Sequence, residues 1–362
     1  MAQPALIGNE RDYVLKCLDD NWISSGGRFV GEFERNFAGF CNAKHGVATS
    51  NGTTALHLAL VALGVAPGDE VIVPTLTYIA TANSIRYCGA TPVMVDSETE
   101  TLNIDPSRIE ERITPRTRGI IAVHLYGFPA DMDPVMEIAR RHKLFVIEDA
   151  AEAHGAEYRG RRVGGLGNCA TFSFFGNKII TTGEGGMVTT NDSALDGKLR
   201  MYCNQGNDPG RRYWHPVIGY NYRMTNITAS IGVAQVEVLD DLLAQRRQLA
   251  ALYEERLERL RDRIEVLDLP SWGEGVFWMQ NVFLREGGGE KRDAVIGRMA
   301  EAGIETRPVF HPMHTMPPYF ESSHRFPVAT AYGARGISLP THVFLKEADL
   351  DRIIDALDAS IA

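Results

Sequence analysis

The chain has 362 residues, 37 of them basic and 46 acidic, for a formal net charge of −9. At roughly 100–200 residues per domain, that length predicts two domains with a sizeable core. Hydrophobic residues at 44% and charged residues at 23% exclude a collagen-like, disordered or disulfide-stapled chain, and the acidic balance argues against a general nucleic-acid binder, which needs a basic footprint.

The opening MAQPALIGNERDYV carries charges where a signal peptide would have its apolar stretch. The most apolar helix candidate, Thr54 to Leu63, is interrupted by His57 and is far too short to span a bilayer. Cys17, Cys41, Cys88, Cys169 and Cys203 sit at no metal-finger or CxxC spacing. Reduced, scattered thiols, a cytoplasmic location and no membrane partner are expected.

In chain order, short apolar runs alternate with helical patterns. Val71–Val73, Val93–Val95, Ile120–Val123 and Leu144–Ile147 read as buried strands of a parallel sheet, with Ala170–Phe174 and Gly186–Thr189 as two more. Between them lie helix candidates at Thr53–Leu63, Thr77–Cys88, Pro106–Ile113 and Asp133–His142. This alternation predicts an α/β fold, a mostly parallel central sheet with helices on both faces. Residues 227–262 contain no proline and one glycine, Gly232, which predicts long helices. Gly287-Gly288-Gly289 reads as an exposed loop, and Lys346–Ile361 has helical spacing. We expect a large domain over 1–240 and a smaller α+β domain over 241–362.

Chemistry concentrates at strand ends. FSFFGNKIITTGEGG puts Lys178 in a loop after a strand, among hydroxyl groups and glycines. A lysine partly desolvated at a sheet edge serves as nucleophile or base, whereas a solvated loop lysine does neither. LFVIED ends a buried strand on two carboxylates, at the sheet edge where open α/β folds bind ligands. Asp149 there either pairs with a protonated ring nitrogen or caps a helix over Ala150–His154. Ser50-Asn51-Gly52-Thr53-Thr54 opens an apolar helix, an arrangement suited to phosphate. No Walker lysine follows it, and no GxGxxG marks a dinucleotide site. His311 and His314 flank Pro312, which argues against a shared metal, and no metal site is expected.

SNGTTALHLAL, PTLTYIATANSI, HLYGFPADMDP, VIEDAAEAHGA, SFFGNKIITTGEGGMV and GYNYRMTNI together resemble the DegT/DnrJ/EryC1/StrS family of sugar aminotransferases. The resemblance runs over essentially the whole chain. It implies the fold type I architecture with pyridoxal 5′-phosphate (PLP) as cofactor. Lys178 would hold the cofactor covalently and carry protons, and Asp149 would face the ring nitrogen. Tyr78 would stack on the ring; its alternative is a core aromatic. Thr53, Thr54 and Ser173, five residues before the lysine, would bind the phosphate. Glu152 would lie near the ring hydroxyl, or else be a solvated helix residue. Asn221 would reach the phosphate of a neighbouring subunit, which implies a homodimer with shared sites. Lysine rather than histidine at position 178 favours transamination over dehydration, and His154 is expected to be packed or solvent-facing rather than a second base.

A narrower likeness, carried by NERDYVLKCLDDNWISSGGRFVGEFE, NQGNDPGRRYWHPVIGYNYRMTN and GIETRPVFHPMHTMPPY, implies a GDP-linked 4-keto-6-deoxy sugar as acceptor and L-glutamate as donor. Arg211 and Arg212, beside Tyr213 and Trp214, and Arg223, Arg307 and His311 are the candidates for substrate contact. Phe310 and Tyr319 would simply pack the small domain. The alternatives are the same chemistry on a UDP- or dTDP-linked sugar, or a non-catalytic regulatory protein that keeps the cofactor.

Overall fold

The computed structural model describes residues 3–361. Eleven α-helices occur among them: α1 (Glu10–Asp19), α2 (Arg28–Phe40), α3 (Gly52–Ala62), α4 (Ala80–Tyr87), α5 (Met132–His142), α6 (Ser193–Cys203), α7 (Asn226–Glu237), α8 (Leu239–Leu257), α9 (Gly289–Glu301), α10 (Pro327–Arg335) and α11 (Glu347–Ile361). The strands are β1 (His45–Thr49), β2 (Glu70–Pro74), β3 (Thr91–Val95), β4 (Thr117–Val123), β5 (Phe145–Asp149), β6 (Glu157–Tyr158), β7 (Arg161–Arg162), β8 (Cys169–Ser173), β9 (Gly186–Thr190), β10 (Ile264–Glu265), β11 (Gly273–Glu274), β12 (Gln280–Leu284), β13 (Arg307–Pro308) and β14 (Gly336–Leu339).

A seven-stranded sheet in the order β1-β9-β8-β5-β4-β2-β3 forms the centre. The pleat divides each strand between two cores. Val71, Val73, Ile121, Val123 and Ile147 join the core that contains α3, while Ile72, Ile120, Ala122 and Val146 join the core beneath α5. Burial on both faces explains why these strands read as continuous apolar runs. One expectation is corrected here: β9 pairs antiparallel with both β8 and β1, so it runs against the other six. The 12 residues between β8 and β9 contain no crossover helix, and such a connection returns the chain antiparallel.

Two helix expectations also change. Over 106–113 the chain forms two 3-10 turns, Pro106–Arg108 and Glu110–Arg112. Pro115 pushes the backbone before it toward extended geometry, which prevents a longer helix. Residues 150–154 form turns rather than a helix, so Asp149 caps none; its Oδ1 accepts the Ala151 N–H at 3.3 Å.

The second sheet, β10-β12-β14-β13, is antiparallel throughout. Its core joins Leu249, Tyr253 and Leu257 of α8 to Val282, Val295, Ile337 and Leu357. We propose residue 240, in the first turn of α8, as the division between the two parts.

Candidate active site

One wall of the site starts from the carboxyl edge of the parallel strands. The chain after β1 opens α3, and the chain after β2 carries Thr77 and Tyr78. Beyond β4 lies Tyr126, β5 ends on Asp149 with Glu152 three residues on, and β8 leads through Ser173 to Lys178. All of these line one cleft of about 640 Å³, closed on its other side by Trp278, Met279, Arg307 and Phe310.

The pleat of β5 separates the two carboxylates. Glu148 turns away and accepts N–H groups from Gly164, Leu166 and Gly167 at 2.7–2.9 Å. Because His124 Nδ1 accepts the Ala130 N–H, its Nε2 carries the hydrogen toward Glu148 at 3.2 Å. Asp149 turns into the cleft, where Oδ2 accepts the Thr81 hydroxyl at 2.8 Å. Burial raises its pKa, with the Thr81 and Ala151 donors opposing.

Lys178 is almost fully enclosed, so it is no solvated loop residue. Its Nζ lies 3.7 Å from Glu152 Oε1 and 3.7 Å from the centroid of the Trp278 ring. Burial lowers its pKa, against the pull of Glu152 and Asp149. Glu152 is buried as well; burial pushes its carboxyl up to about 7, with Lys178 and the Tyr126 N–H opposing. That N–H donates to Glu152 Oε2 at 2.8 Å.

The start of α3 is a reciprocal cap. Thr54 N–H donates to Asn51 Oδ1 at 2.9 Å, and Asn51 N–H donates to Thr54 Oγ1 at 3.2 Å. The Thr54 hydroxyl in turn donates to the Asn51 carbonyl at 2.8 Å, so this side chain shapes the cap. Gly52 brings the helix start against the end of β8: a Cβ there would lie 2.7 Å from Ser173 Cβ.

Tyr78 precedes α4 and is exposed in the cleft, 5.7 Å from the Phe310 ring, not in the core. Phe310 is corrected likewise: it lines the cleft and stacks on Tyr126 at 5.2 Å. Tyr319 belongs to a buried cluster with Met313, Phe326 and Tyr332 of the small domain, and also reaches across to Asn83 of α4 with a 2.7 Å hydrogen bond. His154 is packed, fully buried among Phe37, Phe172 and Phe174.

Of the substrate candidates, only Arg307 lines the cleft. Arg211 lies over the Trp214 ring at 4.0 Å and Arg212 over Tyr213 at 4.9 Å, on an exposed loop. Arg223 and Asn221 are exposed and bonded to each other at 3.0 Å, and His311 is exposed too. None of these five lines the cleft of its own chain. His314 is buried, its ring nitrogens on the hydroxyls of Thr75 and Thr330, whereas His311 is exposed. Among the described residues, no group of three or more His, Cys, Asp or Glu could hold a metal, and no helix is long and apolar enough to cross a membrane.

Among the residues of the site, Thr81, Tyr126 and Trp278 escaped the sequence reading. Tyr126 left a signal, an aromatic directly before glycine at a strand's carboxyl edge; its φ is +53°. Trp278 left none, since its hydrogen-bond partner, the Asn177 carbonyl, is 101 residues away.

The family model for DegT/DnrJ/EryC1/StrS aminotransferases matches residues 4–358. The chain belongs to that family. It is thus an enzyme of the aminotransferase type. It is 59% identical over 359 residues to the GDP-perosamine synthase of Caulobacter vibrioides, covering 99% of this chain and 97% of the relative. With the GDP-perosamine synthase of Escherichia coli O157:H7 it shares 48% over 356 residues, 98% and 96% of the two chains. The Streptococcus pneumoniae protein Spr1654 in its PLP-form superposes with a TM-score of 0.94 at 28% identity, covering 99% of this chain and 97% of that one.

The residues of this family member fit PLP. The cleft offers an amine whose pKa is lowered by burial, a buried carboxylate for a ring nitrogen, and a helix start for a phosphate. The missing Cβ at Gly52 keeps that helix start tight against Ser173.

Proposed function

We propose that the chain transfers an amino group from L-glutamate to C4 of GDP-4-keto-6-deoxy-D-mannose, giving GDP-perosamine, with PLP as cofactor. The observation that carries this reading is Lys178, enclosed between Glu152 and Trp278 at the sheet edge, in a chain so similar over its whole length to GDP-perosamine synthases.

Bound PLP supplies an aldehyde for the amine and a ring that withdraws electrons from the reacting carbon. Lys178 would hold the cofactor, and its free amine would move a proton at the substrate carbon. Burial lowers its pKa, which favours the neutral amine that accepts a proton. Asp149 would hold the ring nitrogen protonated, and a positive charge there would offset the burial that disfavours the carboxylate's own charge. Thr53, Ser173 and the α3 start hold the phosphate, while Thr54 shapes their cap. Tyr78 covers the ring, and Glu152 holds the ring hydroxyl.

Arg307 takes part in holding the sugar nucleotide. Asn221, Arg211, Arg212, Arg223 and His311 lie outside the cleft, and we assign them to the site of a second copy in a homodimer. Support comes from exposed apolar residues on and after α1 (Leu15, Leu18, Trp22, Ile23) and on the arm that carries Tyr213, Trp214 and Ile218. A cytoplasmic location accords with five unpaired cysteines.

The test is to incubate purified protein with L-glutamate and the GDP-, UDP- or dTDP-linked 4-keto-6-deoxy sugar, and to seek the amino sugar by mass. Product is expected from the GDP sugar. Preference for UDP or dTDP would overturn the nucleotide assignment, and no product from any would overturn the activity.

A further inference from the structure

Lys178 is held from a direction that its own loop does not provide. Trp278 is buried, and its indole N–H donates to the carbonyl of Asn177, the residue before the lysine, at 2.8 Å. The face of the same ring lies 3.7 Å from Nζ. Trp278 is itself fixed: its N–H donates to the Tyr126 carbonyl at 3.2 Å, and its carbonyl accepts the Thr341 hydroxyl at 2.8 Å. Tyr126 stacks on the Trp278 ring at 6.4 Å and holds Glu152 through its N–H. One frame therefore sets both neighbours of the amine, the carboxylate and the aromatic face.

We propose that Trp278 is a positioning residue for Lys178: its N–H fixes the main chain beside the lysine, and its ring face seats the ammonium when the amine is free. The proposal rests on the aminotransferase reading of Lys178. A ring face attracts a desolvated cation through its quadrupole, so it stabilises the protonated amine beyond what Glu152 and Asp149 contribute. The other charged groups on the cleft wall are Glu184 and Arg307; His154, behind it, has its pKa lowered by burial to about 3 and is neutral.

The test uses apoprotein and its Trp278→Leu and Trp278→Phe variants. Pyridoxal phosphate is added across a pH series, and formation of the lysine adduct is followed by absorbance. In that step the neutral amine adds to the aldehyde carbon and water leaves, so the rate follows the fraction of neutral amine. Borohydride trapping and peptide mapping confirm the position. The midpoint of the rate profile is expected to fall by about one pH unit in Trp278→Leu, and by less in Trp278→Phe, which keeps a ring. A merely structural role would slow the reaction at every pH and leave the midpoint in place, and that result overturns the proposal.

A second measurement needs no change at Trp278. Tryptophan fluorescence of the native apoprotein should titrate with Lys178, and the transition should vanish in Lys178→Met; an identical titration in both overturns the proposal. Failure to trap any adduct at Lys178 in the native protein would instead sink the aminotransferase reading.

Discussion

Among single side chains, the pleat of β5 makes the sharpest distinction. Glu148 and Asp149 are adjacent and chemically alike, yet one anchors a turn and the other enters the cleft. Asp149→Asn is expected to slow the amino-acid half-reaction roughly 10²–10³-fold, the scale for losing one preorganised electrostatic contact, with little loss of cofactor; stopped-flow absorbance would check this. Lys178→Ala is expected to remove at least ~10²–10⁴ in rate and to abolish the borohydride-trapped adduct while circular dichroism stays unchanged. Glu152 gives a prediction in pH. Its folded pKa of about 7 lies above the ordinary carboxylate value, so in between the folded apoprotein binds more protons than the unfolded chain. Its contribution to stability is full below the ordinary value and is lost as pH rises toward 7, at up to about 1.4 kcal/mol per pH unit. Urea unfolding of apoprotein should show this slope, with Asp149 adding at its acid end, and Glu152→Gln should flatten it.

Among the secondary elements, the α3 start and the β8 end work as a pair. The reciprocal cap of Asn51 and Thr54 sets where the helix begins, and Gly52 lets it approach Ser173. Gly52→Ala is expected to cost about 1–3 kcal/mol through overpacking and to weaken PLP binding about tenfold, since that is 1.4 kcal/mol of misplaced phosphate contact; equilibrium dialysis and urea unfolding would separate the two effects. Elements were legible in the sequence where burial was simple. The apolar runs of β2, β4 and β5 are buried on both faces, so composition alone marked them. Ala150–His154 misled because alanine favours helix, whereas here the chain must turn at once to bring Glu152 under Tyr126. The direction of β9 did not follow from its apolar run, which carries no sign of which way its neighbours run; the short connection from β8 was the signal.

Across the whole molecule, the site draws on both sheets, and we propose that it draws on a second copy. Sedimentation should give twice the 40.0 kDa chain mass. Lys178→Ala and Asn221→Ala are each expected to be impaired as homodimers. Unfolding and refolding them together should restore activity above either alone, because one site of the mixed dimer then receives an intact lysine from one chain and an intact asparagine from the other. No gain on mixing would place both residues in a site made by one chain.

The sequence alone determined the strand–helix alternation, the lysine after β8, the acid ending β5 and the polar opening of α3. These are local patterns, and the edge of a parallel sheet gathers whatever follows its strands. Only the tertiary structure decided that Trp278 and Phe310 face that edge, that Glu152 is buried against Lys178, and that Arg211, Arg212, Arg223, Asn221 and His311 lie outside the cleft. Those contacts join residues far apart in the chain, and burial, which sets the charge of each group, is a property of the packed whole.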